Sequence, residues 1–169
     1  GCLSTGHASR SGHPTKSFAM TLPASTPIIV GVGQFTERLD APDFQARSSS
    51  DIAAAAARRA LDDALSVDRL RPLVDAIVTT RIFEDSTPRR AQPFGKSDNF
   101  PRSVARRLEL APRVAVWEKA GGNTPQQLVS EFCARLARGE FPVVLLAGAP
   151  NSSTARGLEA NGKRADLSE

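Results

Sequence analysis

From Pro27 onward the chain alternates short apolar runs with longer stretches of helical period. Ile28-Ile29-Val30-Gly31-Val32 is β-branched and apolar on both parities, the pattern of a strand buried on both faces. Between Asp51 and Leu65, Ile52, Leu61 and Leu65 fall on one side and Arg58, Arg59, Asp62 and Asp63 on the other. That spacing predicts an amphipathic helix with Ser50 as its N-cap. Asp75 to Thr80 predicts a second strand, Ser103 to Leu110 another amphipathic helix, and Arg113 to Trp117 a third strand. Thr124, Pro125 and Gln126 open a helix with a cap residue and a proline in the first turn, where a missing N–H costs nothing. Leu128, Val129, Phe132, Cys133 and Leu136 mark its buried face, and Gly139 ends it. Val143 to Ala147 predicts the fourth strand.

Strands alternating with helices predict an α/β domain whose mostly parallel sheet is covered by helices. Ligands of such sheets meet the carboxyl ends of the strands and the helix N-termini beside them. The loops after Val32, Thr80, Trp117 and Ala147 are therefore the places to look for function.

Composition narrows the class. Of 169 residues, 40% are hydrophobic, 24% charged and 5% aromatic, which fits one soluble globular domain with a short tail. No run approaches the roughly 18 apolar residues of a membrane-spanning helix. The formal charge of +4 owes much to Arg10 and Lys16 in residues 1–19, which hold no acid; without them the body is nearly balanced. Its arginines come in scattered pairs such as Arg58-Arg59 and Arg106-Arg107 with no interleaved Tyr or Trp, so neither nucleic acid nor a membrane is an expected partner. Residues 1–19 lack the apolar core of a secretory signal and read as a disordered tail or upstream extension, leaving 20–169 as the domain. Two cysteines, Cys2 and Cys133, exclude a disulfide framework and suit a reducing cytoplasm.

Several motifs are weighed and set aside. Gly31-Val32-Gly33 begins like a dinucleotide fingerprint but has Thr36 where the third glycine belongs. Gly95-Lys96-Ser97 resembles the end of a P-loop, yet Arg90 replaces its first glycine. Cys2, His7 and His13 match no closed zinc spacing, so no metal is expected. Residues 14–169 contain no histidine, so no His-assisted nucleophile can be assembled there. Cys133 lies in a helix interior, where packing rather than reactivity is expected. The acidic pairs Asp62-Asp63 and Glu84-Asp85 read as solvated charge. The most informative loop is Glu118 to Gln126: it follows a strand, its glycines admit a ligand to the backbone, and it ends at a helix N-terminus whose free N–H groups attract an anion or oxyanion. A capped turn using its glycines for tight geometry is the competing reading.

Pro27 to Gln34, the loop Gly121-Gly122-Asn123-Thr124-Pro125-Gln126 with its helix, Leu145-Leu146-Ala147-Gly148-Ala149 after Gly139-Glu140-Phe141-Pro142, and Ser153-Thr154-Ala155-Arg156 together resemble the thiolase superfamily. The resemblance is to the acetyl-CoA acetyltransferases related to the sterol carrier protein type of thiolase, and it covers about residues 27–168. It implies a thiolase-like N-terminal half, incomplete at the C-terminus, from a two-half, usually dimeric protein that transfers acyl groups to or from coenzyme A. No bound cofactor is implied; the coenzyme A thioester is the substrate. Gly121, Gly122, Asn123 and Thr124 are the implied substrate-binding positions. The family's nucleophilic cysteine falls within that loop, with Gly122 the matching position, so no residue here is implied as catalytic. Pro150 stands where the family often has a glutamate.

The expectation is thus an N-terminal part of a thiolase-like acyltransferase of lipid metabolism, inactive alone. Its partners would be acyl-CoA and either a second copy or a complementing thiolase-like subunit. A non-catalytic acyl-CoA- or partner-binding subunit and a Rossmann-like nucleotide-binding domain are the alternatives.

Overall fold

A computed structural model of the chain describes residues 22–82 and 94–169. The tail with Cys2, His7 and His13, together with Glu84, Asp85 and Arg90, lies outside them. Eight elements follow in order: α1 (Ser49–Ala64), α2 (Val67–Leu70), β1 (Val74–Thr80), α3 (Phe100–Arg107), β2 (Val114–Glu118), α4 (Thr124–Ala137), β3 (Val143–Ala147) and α5 (Ser152–Ala160). The described strands form one parallel sheet in the order β2-β1-β3. Val78 pairs with Val116 on one side and Leu146 on the other, so β1 is central.

Burial explains the helix positions. Ile77 and Leu145 face a core with Ile52, Ala53, Ala57 and Leu61 of α1 and Val104 and Ala105 of α3. Ala76 and Val78 face the other way, against Leu128 and Phe132 of α4 and Phe141. Alternate residues of β1 thus serve opposite cores, as a strand's two-residue period requires. Val129 is an exception to the predicted buried face of α4, being exposed, and Cys133 is only half-buried and free.

The helix ends are set by local hydrogen bonds. Ser48, two residues earlier than the predicted Ser50, caps α1 in a capping box with Asp51: the Asp51 N–H donates to Ser48 Oγ at 3.1 Å and the Ser48 N–H to Asp51 Oδ2 at 3.2 Å. Gly139, with φ +75°, closes α4 as predicted, its N–H donating to Leu136 O. Glu109 does the same after α3 with φ +55°, and Leu110 N–H reaches back to Ala105 O. In the loop before α1, Ala46 has φ 56°, and the N–H groups on either side of it, of Gln45 and Arg47, both donate to the Glu37 carboxylate. The Arg47 guanidinium completes that enclosure at 2.6 Å.

At the amino end of the sheet Arg113 joins all three strand starts. Its guanidinium pairs with Asp75 at 2.9 Å, donates to Glu140 O at 3.2 Å and lies over the Phe141 ring. Arg135 lies between the Phe132 and Phe141 rings, 4.8 and 4.7 Å from their centroids, and pairs with Glu140.

The predicted strand Ile28–Val32 is corrected. Residues 26–35 carry no strand, and Ile28, Ile29, Val30 and Val32 are 54 to 83% exposed. The segment lies instead on α1, whose small residues let its backbone in: a Cβ on Gly31 would stand 2.1 Å from Ala60 O, and one on Gly33 2.2 Å from Ala56 O. Its polar groups are met by helix side chains, Val32 N–H donating to Asp63 Oδ2 at 2.9 Å and Arg59 donating to Gln34 O at 2.6 Å. With β1 paired directly to β3, no place remains between them. Among the described residues no helix is long and apolar enough to cross a membrane.

Two outcomes follow. Ile29→Lys is expected to change stability by no more than about 0.5 kcal/mol; a loss of several kcal/mol in a thermal melt would mean that Ile29 is buried. Glu109→Gly, which relieves a left-handed backbone at a helix end, is expected to raise stability by about 0.5–1 kcal/mol in urea unfolding; a loss would mean that its ion pair with Arg71 outweighs the strain.

Candidate functional site

α3 and α4 follow β1 and β2 but lie on opposite faces of the sheet, so a crevice opens at the strands' carboxyl ends. Thr80, the last residue of β1, borders openings on both faces.

On the α4 face the loop 119–123 leads into the helix. Gly121 turns tightly onto Thr124, whose N–H donates to Gly121 O at 3.1 Å; a Cβ on Gly121 would meet Thr124 Oγ1 at 2.8 Å. Gly122 has no such neighbour and could carry a side chain freely. Gly121, Gly122 and Asn123 are exposed and Thr124 is buried, so the loop positions come together at one helix start. The N-cap is Asn123 rather than Thr124, and its side chain makes no capping bond. Of the first-turn amides, that of Thr124 is already donated and Pro125 has none, which leaves Gln126 N–H as the donor with no side-chain cap. The helix N-terminus therefore offers an anion or oxyanion less than four free amides would.

Beside this turn runs a groove of about 320 Å³ lined by Val78, Pro125, Leu128, Val129, Leu146 and Gly148, mostly apolar. Leu146 and Val129 are each about 40% exposed along it. Cys133, two turns further along α4, is not among the groove's lining residues. Among the described residues no group of three His, Cys, Asp or Glu side chains could hold a metal ion.

On the opposite face hydroxyls and apolar side chains meet. Ser48, Ser50, Thr80, Ser97, Phe100 and Trp117 border a small cavity. Glu169 docks at its edge, accepting from Ser48 Oγ at 2.8 Å and from both terminal nitrogens of Arg107, one at 3.1 Å. Arg107 in turn holds Asp51 through Nε at 2.5 Å. Burial pushes the Asp51 carboxyl up, but the hydrogen bonds from Arg107 and Ser48 and the Arg107 charge outweigh it and hold the group below its ordinary 3.8. The sequence reading missed this cluster; Ser48-Ser49-Ser50 before a helix with Asp51 in its first turn was the available signal.

The other sequence candidates have structural duties. Asp62 accepts the first amide of α2, from Val67, and Asp63 holds the 28–32 segment. Gly95, with φ +83°, serves a close approach to Ser168.

No protein-family model matches the chain, and a search of curated proteins finds no match. Among solved structures the chain is similar to a monomeric SCP2-thiolase like protein type 1 from Mycobacterium smegmatis, at 39% identity and a TM-score of 0.61. The match covers 76% of this chain and 24% of that one, so the chain spans about a quarter of the length of its relative.

A carboxylate held below its ordinary value stabilises the fold fully above the unfolded value, and that contribution is lost as the pH falls through the lowered one. Asp51→Asn is therefore expected to flatten the loss of melting temperature below about pH 4. An unchanged acid limb would mean that the Asp51–Arg107 contact does not form in solution.

The helix-covered parallel sheet, with its crevice at the carboxyl ends of the strands, has the SCP2-thiolase-like fold.

Proposed function

We propose that this chain contributes the acyl-recognising N-terminal part of a thiolase-like, coenzyme A-dependent acyltransferase of the sterol carrier protein type, and that it carries out no thiolysis with its own residues. The observation that carries the reading is the juxtaposition of the Gly121–Thr124 turn with the apolar groove beside α4. A coenzyme A thioester joins an apolar acyl chain to a polarised carbonyl. The groove suits the chain and Gln126 N–H, aided by the helix dipole, suits the carbonyl oxygen. Identity of 39% with an SCP2-thiolase-like protein supports the same reading.

Thiolase chemistry also needs a nucleophile and a proton carrier. The loop offers Gly, Gly, Asn and Thr, and a threonine hydroxyl without an adjacent base is a weak nucleophile. Those groups would have to come from outside these residues, as from a complementing thiolase-like half, in the cytoplasm where acyl-CoA is found.

Calorimetric titration of the 169-residue chain with acetyl-CoA, coenzyme A, NAD and ATP tests this. Saturable binding of acetyl-CoA is expected, weakened at least about tenfold (~1.4 kcal/mol) by Leu146→Asp, with no cleavage of acetoacetyl-CoA. Preference for NAD or ATP would favour a nucleotide-binding domain instead. Thiolysis that survives Cys133→Ser but vanishes in Thr124→Ala would place a working nucleophile in the loop and overturn the proposal.

A further inference from the structure

On the face of the sheet opposite α4, two stretches distant in sequence form a strap. Leu167 N–H donates to Phe94 O, Glu169 N–H to Lys96 O at 3.2 Å, and Asp98 N–H to Glu169 O at 3.1 Å. The approach is so close that a Cβ on Gly95 would lie 2.0 Å from Ser168 Oγ and 2.7 Å from Ser168 N. Asp166 accepts Ser168 N–H at 3.0 Å and fixes the turn that delivers this end. The strap is latched by the Glu169 carboxylate, which is 11% exposed and held in a two-pronged pair by Arg107 and by the Ser48 hydroxyl.

Beneath it lies the cavity bordered by Ser50, Thr80, Ser97, Phe100 and Trp117, with Gly95, Leu167 and Glu169 on the strap's side. The space within it open to the centre of a water-sized molecule is about 20 Å³, enough for one such molecule and too little for a larger ligand. Trp117 supplies an independent mark. Its Nε1–H is fully buried and meets no acceptor among the described residues, while its ring is covered by Phe100 and by Arg81, 4.0 Å from the centroid. A buried donor left unmet is costly, and the hydroxyls of Ser50 and Thr80 at the cavity offer further partners for a molecule that met it.

We propose that this cavity is a binding site for a single water-sized hydrogen-bond acceptor held by Trp117 Nε1–H and the neighbouring hydroxyls, and that the strap of residues 94–98 and 167–169, latched by Glu169 on Arg107, gates it. The site is on the other face from the acyl groove and stands or falls separately from it.

Trp117 is the one tryptophan of the sequence, so its indole N–H gives a single NMR signal. In the unmodified chain that proton is expected to show dipolar cross-relaxation with a water that stays longer than the protein's tumbling time, and to exchange slowly with D2O. Glu169→Gln, which removes the latch charge, and Gly95→Val, which drives a side chain into Ser168, are each expected to speed that exchange at least tenfold while backbone amides of β1 remain protected. A chain without the water cross-peak overturns the site. Unchanged exchange in both folded variants overturns the gate. Should either variant lose protection in β1, the cross-peak of the unmodified chain and the other variant decide.

Discussion

The structure depends on β1 having a parallel neighbour on each side. Parallel neighbours cannot be joined by a tight turn, so each connection must cross a face of the sheet, and both faces of the central strand must be apolar. Val74 to Val78 meet that demand by sending Ile77 to the α1 and α3 side and Ala76 and Val78 to the α4 side. Helices committed to opposite faces leave the strands' carboxyl ends uncovered between them. The apolar groove and the hydroxyl-lined cavity are the two sides of that one opening, with Thr80 shared between them.

The elements that the sequence makes legible are those whose neighbours are themselves apolar. Val143–Ala147 has the boundaries its apolar run implies, and Val74–Thr80 and Val114–Glu118 differ from expectation by a residue. Ile28–Val32 has an equally apolar pattern and yet is no strand. Gly31 and, two positions on, Gly33 put the Cβ-free positions of an extended segment against Ala56, Ala60 and Ala64, which recur at four-residue steps on α1. Close backbone approach, rather than side-chain burial, places it, and hydrophobic periodicity carries no trace of that.

The candidate site was legible in the same uneven way. The loop Gly121–Thr124 could be found because a glycine-rich stretch between a strand and a proline-opened helix marks a backbone-lined turn. The loss of capping at Asn123 and the small number of remaining amides could not, since they depend on one side-chain rotamer and one backbone bond. The strap was hidden for another reason: Gly95 and Ser168 become neighbours only when the chain closes, and each is an ordinary loop residue by itself.

Arg113 and Arg135 give the two ends of the sheet different characters. At the amino end guanidinium groups, aromatic rings and Glu140 clasp the beginnings of all three strands. At the carboxyl end, loops, hydroxyls and one latched carboxylate take their place. A single strand thus runs from a cross-braced region into a loosely closed one, and local opening should begin where Thr80 lies while Ala76 stays fixed until the whole domain unfolds. The protein can rearrange its carboxyl end without loosening the end that keeps its strands in register.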